Sequence, residues 1–248
     1  MSRIQQYVNY ILIGNENMKV IAINGSPRKT WNTGTLLQKA LDGAESVGAE
    51  TEIVHLYDLN FKGCISCFAC KTKDHKHLGK CAMKDDLTSV LEKITACDVL
   101  LLGSPIYFGN VTGEMRSFLE RLMFSNMTYN VGHRSIFKGT VSSCFIYTMN
   151  VPEDLRMMNI PEEHLKYLDY DKVYQFYRDR LEMLNGTSEY LISYDTYQFD
   201  DYSKYEASMF DEQHKAQVRE VQFPIDCQKA FDTGIRLASA RNNAPQLF

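Results

Sequence analysis

Three stretches of this 248-residue chain carry residue types at spacings suited to chemistry. The first reads Val-Ile-Ala-Ile-Asn-Gly-Ser-Pro-Arg-Lys-Thr-Trp-Asn-Thr-Gly-Thr-Leu-Leu from Val20 to Leu37. A short β-branched run ends at Gly25, which permits a tight turn, and hydroxyl and amide donors then crowd the start of an apolar-periodic segment. Ser26, Thr30, Asn32, Thr33 and Thr35 are those donors, with Asn32 or Thr33 as N-cap. A helix N-terminus has free N–H groups and a partial positive charge, which suits a phosphate, and Arg28 adds a permanently charged planar donor. No G-x-x-x-x-G-K-[ST] and no G-x-G-x-x-G occurs here. No cysteine has the arginine spacing of a tyrosine-phosphatase-like loop either. The stretch therefore suits a monophosphate that is held rather than transferred; ordinary capping of a strand-turn-helix is the plainer alternative.

The second stretch follows another buried run, Val99 to Gly103, and reads Ser104-Pro-Ile-Tyr-Phe-Gly-Asn-Val111. Pro105 stiffens the loop, Tyr107 and Phe108 offer flat apolar surface, and Asn110 can hydrogen-bond the edge of a heterocycle. Thr112 is a good N-cap for the next helix, with Glu114 in its first turn. The third stretch is Cys64-x-x-Cys67-x-x-Cys70, with Cys81 after a longer gap filled by Lys-Thr-Lys-Asp-His-Lys-His-Leu-Gly-Lys. Closely spaced thiolates can ligate an iron-sulfur cluster, or a zinc ion shared with a histidine. A reactive thiol pair and simple packing are the competing readings. Cys97, Cys144 and Cys227 fall on predicted core elements and read as small hydrophobes.

The elements that must position these stretches form an α/β pattern. Predicted strands cover 20–23, 51–56, 99–102, 140–147 and 189–194. Helices are expected over Leu36–Ala44, Leu87–Ile94, Arg116–Phe124, a long Glu162–Leu184 and Cys227–Ala240. In a doubly wound sheet, loops after the first and third strands open at one edge, where ligands sit. That places the donor-rich turn beside the aromatic loop. Residues 151–185 and 195–222 exceed the minimal fold and are dense in aromatics, which suggests a subunit interface, a lid, or a local packing layer.

With both loops in view, Gly25-Ser-Pro-Arg28, Asn32-Thr33 and Ser104-Pro-Ile-Tyr-Phe-Gly-Asn-Val-Thr-Gly-Glu-Met115 with Phe118-Leu-Glu-Arg121 resemble the NADPH-dependent FMN reductase family. Its fold is flavodoxin-like, and the likeness lies close to the iron-sulfur flavoprotein branch. It covers about residues 18–150. The resemblance implies a five-stranded parallel sheet with helices on both faces, FMN as cofactor and NAD(P)H as co-substrate. It also implies that Ser26, Arg28, Asn32 and Thr33 hold the FMN phosphate, with Thr35 nearby, while Pro105, Ile106, Tyr107, Phe108 and Asn110 line the ring. Many relatives carry a glycine-containing loop after the next strand; here Thr148 and Asn150 stand in its place. In the iron-sulfur branch a compact cysteine motif binds a [4Fe–4S] cluster. The longer, basic gap before Cys81 departs from that motif, so an obligatory cluster is not favoured, although Cys64, Cys67, Cys70 and Cys81 are expected close together near the flavin edge.

Composition narrows the rest. A net charge of −4 with scattered basic residues leaves no nucleic-acid footprint. No apolar run reaches the roughly 20 residues that cross a membrane. Residues 1–17 lack a signal peptide's features and read as an N-terminal extension before a single domain over 18–248. A cytoplasmic location and reduced cysteines follow as expectations. None of the six histidines is a strong catalytic candidate, and hydride transfer to a flavin requires no protein base. The expected activity is an FMN-dependent oxidoreductase passing electrons to a quinone, nitroaromatic or metal ion. A flavodoxin-like electron carrier between proteins is the rival, weakened by the mild charge. A homodimer or higher homo-oligomer is expected.

Overall fold

The computed structural model describes residues 18–137, 139–158, 161–165 and 170–239. The expected N-terminal extension, Tyr167 and Leu168 lie outside them. In chain order the strands are β1 (Lys19–Asn24), β2 (Glu50–His55), β3 (Val99–Tyr107), β4 (Asn110–Val111), β5 (Ser142–Thr148) and β6 (Ser188–Ser193). The helices are α1 (Asn32–Glu45), α2 (Leu87–Ile94), α3 (Gly113–Asn126), α4 (Glu162–Leu165), α5 (Asp171–Asn185), α6 (Glu212–Gln217) and α7 (Phe223–Ser239). Five parallel strands run in the order β2-β1-β3-β5-β6, and β4 folds back antiparallel on β3. This is the flavodoxin-like order, and its direction of winding reverses between β1 and β3.

Alternation along the central strands explains why both faces must be covered. Ile21, Ile23, Leu100, Leu102, Phe145 and Tyr147 point to one face and pack under α2, α3 and α5. Val20, Ala22, Val99, Leu101, Cys144 and Ile146 point to the other, under α1 and α7. Each large apolar side chain so buried stabilises the fold by about 1.5–3 kcal/mol. The α1–α7 contact is unusually close. A Cβ on Gly43 would stand 2.0 Å from the Phe231 carbonyl oxygen, and one on Gly234 would stand 1.8 Å from that of Ala40. These two glycines let the backbones meet.

Two expectations change. The third strand continues past Leu102 to Tyr107, because Gly103 to Pro105 pair in parallel with β5 before Ile106 and Tyr107 pair with β4. The long helix expected over Glu162–Leu184 is interrupted at Tyr170, which is not helical, with α4 before it and α5 after it. α5 supplies the buried Tyr174, Tyr177 and Leu181. Its aromatic face is therefore a packing layer on the sheet rather than a free surface. α6 and α7 join through a wider turn, Val218–Gln222, with π-helical hydrogen bonding.

Candidate functional site

Because the sheet reverses between β1 and β3, the loops leaving β1, β3 and β5 meet at its carboxyl edge. They line a cleft of about 320 Å³, at the lower end of small-molecule sites. From the first loop come Ser26, Arg28, Trp31, Asn32 and Thr33; from the second, Pro105, Ile106, Tyr107 and Phe108; from the third, Thr148, Met149 and Asn150. A fourth side is formed by Thr196, Tyr197 and Gln198, which follow β6.

The first loop is held by a buried amide. Asn24, at the end of β1, accepts the Ser26 N–H at 2.9 Å and donates Nδ2 toward His55 Nδ1 at 3.1 Å. Burial pushes the His55 imidazole below its ordinary value of 6.5, with Asp58 opposing and Lys29 adding to the shift. The Ser26 hydroxyl bonds the Arg28 backbone on both sides. Gly34 has no room for a side chain, since a Cβ would lie 1.7 Å from the Lys29 carbonyl oxygen. That contact folds the loop tightly onto the start of α1.

The expected N-cap is not the one observed. α1 begins at Asn32, and Trp31 holds the cap position with no side-chain hydrogen bond to the helix N-terminus. Both expected caps are occupied elsewhere. The Thr33 hydroxyl pairs with that of Thr148 at 2.8 Å, tying the first loop to the third. Asn32 donates Nδ2 to the Tyr197 carbonyl at 2.7 Å and accepts from Arg219 in the π-helical turn at 3.1 Å. Among the described residues, then, neither expected cap nor Trp31 caps the helix N-terminus, whose N–H groups remain suited to an anion.

The second loop is a tight hairpin. Phe108 (φ 49°) and Gly109 (φ 76°) are the two residues between β3 and β4, both left-handed as a type I′ turn requires. Glycine adopts that conformation freely, whereas Phe108 does so at a cost and stands fully exposed. Thr112 caps α3 by accepting the Met115 N–H, and its hydroxyl donates to the Gly25 carbonyl at 2.7 Å. One residue thus joins the first two loops.

Two expected contributors stand outside the cleft lining. The Thr35 hydroxyl turns back to the Thr30 carbonyl. The Asn110 Oδ1 accepts from the Val111 N–H and from the Tyr177 hydroxyl at 2.9 Å. Tyr177 also accepts from Arg116. Sequence reasoning missed Trp31, Met149, Thr196, Tyr197 and Gln198 as lining residues. Trp31 is the chain's one tryptophan, which was the available signal; the segment after β6 joins the site only through tertiary folding. There the Trp31 Nε1 donates to the Tyr197 carbonyl at 3.1 Å and Arg28 donates to that of Gln198 at 2.6 Å.

The four clustered cysteines border a second, small cavity of about 20 Å³ together with Arg121, Phe124 and Ser125. Left-handed Ser66 and Phe68 flank Cys67 and turn the loop around it. Two cations, one loop lysine and one helical arginine, pin this loop to α3. Lys71 donates to the carbonyls of Phe124, Ser125 and Met127 at the C-terminal end of the helix, a favourable place for a cation. Arg121 is 1% exposed and bonds Asp85 and the Lys62 carbonyl, one on each arm of the loop. Its Nε and Nη2 are buried without a hydrogen-bond partner. Among the described residues, no three His, Cys, Asp or Glu side chains close on a single metal ion.

Residues 18–151, just over half of the chain, match the family described as NADPH-dependent FMN reductase. An iron-sulfur flavoprotein of Archaeoglobus fulgidus is 40% identical over 127 residues, covering 51% of this chain and 59% of that protein. One from Methanocaldococcus jannaschii is 40% identical over 104 residues, covering 42% and 51%. The chain thus spans roughly half to three-fifths of the length of these curated relatives. Among solved structures, an NAD(P)H:quinone oxidoreductase from Methanothermobacter marburgensis superimposes with a TM-score of 0.58 at 13% identity, over 89% of this chain and 99% of that one. An FMN-dependent NADH-azoreductase from Bacillus anthracis, in complex with FMN, gives 0.56 at 11%, over 91% and 100%. At such identities these two neighbours show a common fold.

Proposed function

The chain belongs to the NADPH-dependent FMN reductase family, and on that premise we propose that it is an FMN-dependent oxidoreductase that takes hydride from NAD(P)H and passes electrons to a small acceptor. The observation that carries this reading is one cleft lined both by the donor-rich loop after β1 and by the flat apolar loop after β3. Bound FMN would supply the hydride and electron chemistry.

The protein's residues then bind, orient and exclude water. Ser26, Arg28, Asn32 and Thr33, with the uncapped start of α1, would hold the phosphate. Pro105 to Phe108 would hold the ring, with Thr148, Met149 and Asn150 against another side. Asn110 would act through the hairpin it closes, and Thr35 by closing the turn before α1. The exposed Tyr107 and Phe108 offer a surface on which a nicotinamide, and later a flat acceptor such as a quinone or nitroaromatic, could stack; a metal ion is the non-aromatic alternative as reducible substrate. We also take residues 18–248 as one flavin-binding unit, with 151–185 and 195–222 as its elaborations.

Purified protein tests the proposal directly. Mass spectrometry of the released cofactor should give FMN, and NAD(P)H oxidation should depend on it and on an added quinone. FAD in place of FMN, or no turnover with reconstituted flavin, would sink the reading.

A second reading, an iron-sulfur flavoprotein, is favoured by the gathering of four thiols around an arginine with unused donors. The donor set fits a thiolate-bound iron group, whose sulfurs spread more widely than the ligands of one ion. The small cavity means that the exposed Cys67 turn must move outward to admit it. About four irons with acid-labile sulfide in anaerobically prepared protein, lost in Cys67→Ser, would establish this reading. Flavin without iron, with turnover surviving that substitution, would exclude it.

A further inference from the structure

Arg121 is the buried charge whose surroundings are least complete. Its side chain is fully inaccessible, yet both of its protein hydrogen bonds, to Asp85 at 2.5 Å and to the Lys62 carbonyl at 3.2 Å, use the same nitrogen, Nη1. Nε and Nη2 are left without partners. A buried donor with no acceptor costs about 1–3 kcal/mol, and more on a charged group. The same guanidinium borders the cavity that Cys64, Cys67, Cys70 and Cys81 share, and the Cys81 thiol is drawn into a hydrogen-bonding and charge interaction with it. Lys71 stands on the same loop and interacts with Cys70 and Cys64, so two cations adjoin the four thiols. The Cys81 sulfur is thus the acceptor nearest to hand for donors that the carboxylate and the backbone leave unused.

We propose that Arg121 is a positioning and charge-balancing residue of a four-thiolate iron-sulfur site, donating Nε and Nη2 to its sulfurs and making the site easier to reduce. The inference rests on the second reading above. A cluster on four thiolates is a net anion, and reduction adds one electron without making or breaking a covalent bond. A fixed cation that also hydrogen-bonds the sulfurs favours the more negative, reduced state. Asp85 opposes this effect by neutralising part of the guanidinium charge. The two residues should therefore act in opposite directions.

The test is a redox titration with dithionite as electron donor, followed by electron paramagnetic resonance, on anaerobically purified wild type, Arg121→Gln, Arg121→Lys and Asp85→Asn. Iron, sulfide and FMN are assayed in parallel. Arg121→Gln should shift the reduction equilibrium at least tenfold toward the oxidised form, about 59 mV for one electron. Arg121→Lys should recover part of that shift, and Asp85→Asn should move it the other way. Loss of iron from Arg121→Gln with FMN retained, and its recovery in Arg121→Lys, would support the same role. Should Arg121→Gln fail to fold, the lysine variant and Asp85→Asn decide the matter by the sign of their shifts. Wild type without iron would overturn both this inference and the iron-sulfur reading. Full iron with unmoved potentials in the arginine and aspartate variants would overturn the inference alone.

Discussion

The residues of the first loop are organised by partners that any bound phosphate would have to respect. Arg28 is exposed, its guanidinium lies 4.9 Å from the Trp31 ring centroid, and it already donates to the Gln198 carbonyl. It can therefore reach an anion at little reorganisation cost, and Arg28→Ala should weaken FMN binding by about 1.5–3 kcal/mol in a fluorescence titration. Unchanged affinity would show that Arg28 does not touch the phosphate. His55 is the pH-sensitive support of the same loop. Its folded pKa lies below 6.5, so the folded state binds its proton less readily than the unfolded chain. The stability this difference confers is complete above the unfolded value and is lost as the pH falls through the folded one. Denaturant unfolding at about pH 7.5 and about pH 5.5 should show a larger loss for wild type than for His55→Gln. Equal losses would show that other groups govern acid sensitivity.

Among the elements, the segment after β6 matters most, because it roofs the cleft without belonging to the minimal sheet. It is fixed by an ion pair that the fold buries. Asp195, in a left-handed conformation, accepts from Lys215 on α6 at 2.5 Å and faces His214 at 2.9 Å. Lys215 also donates to the Asn150 carbonyl at 2.8 Å, so α6 braces the loop after β5 as well. The Lys215 side chain is only 2% exposed, and burial pulls its ammonium below the usual lysine range against the pull of Asp195. Asp195→Asn keeps a residue tolerant of that backbone but strands the lysine, and should cost about 3–5 kcal/mol of unfolding free energy. A loss below about 1 kcal/mol would mean that water or His214 relieves the charge. The π-helical turn adds its own constraint, since it delivers Arg219 to Asn32.

At the scale of the molecule, much of the aromatic excess is internal. Tyr147 stacks on Phe145 with centroids 4.3 Å apart and meets Tyr174 at 4.7 Å, and Phe199 stacks on Tyr205 at 4.1 Å. Burial pushes the Tyr147 hydroxyl far up. Tyr174 and Tyr177 are thereby removed as interface candidates. Ile65 and Phe68 in the cysteine loop, Tyr129 just after α3 and Phe176 on α5 remain exposed. We expect a homodimer that covers part of this apolar surface. Light scattering at micromolar concentration should give twice the chain mass of 28.6 kDa, and a monomer would refute it. Among the described residues, no helix is long and apolar enough to cross a membrane.

The order and type of the main elements, and the two loops that face one another, were legible in the sequence because they depend on local signals. Apolar runs such as Val20–Ile23 and Val99–Leu102 make strands, Thr112 caps a helix, and parallel pairing with a reversal in winding brings the loop ends together. What the chain does between distant segments was not legible. Nothing local announces that Tyr197 and Gln198 would take up donors from Trp31, Asn32 and Arg28, or that Asn110 would turn to a tyrosine on α5. The cysteine spacing told that thiols would be neighbours, but not that a helical arginine would lie beside them with two donors unused. Such pairings depend on which side chains the packed helices bring within a few ångströms, and hydrogen-bond geometry acts only at that range. Local propensity and periodicity determined the frame; tertiary packing decided which polar groups in it found partners.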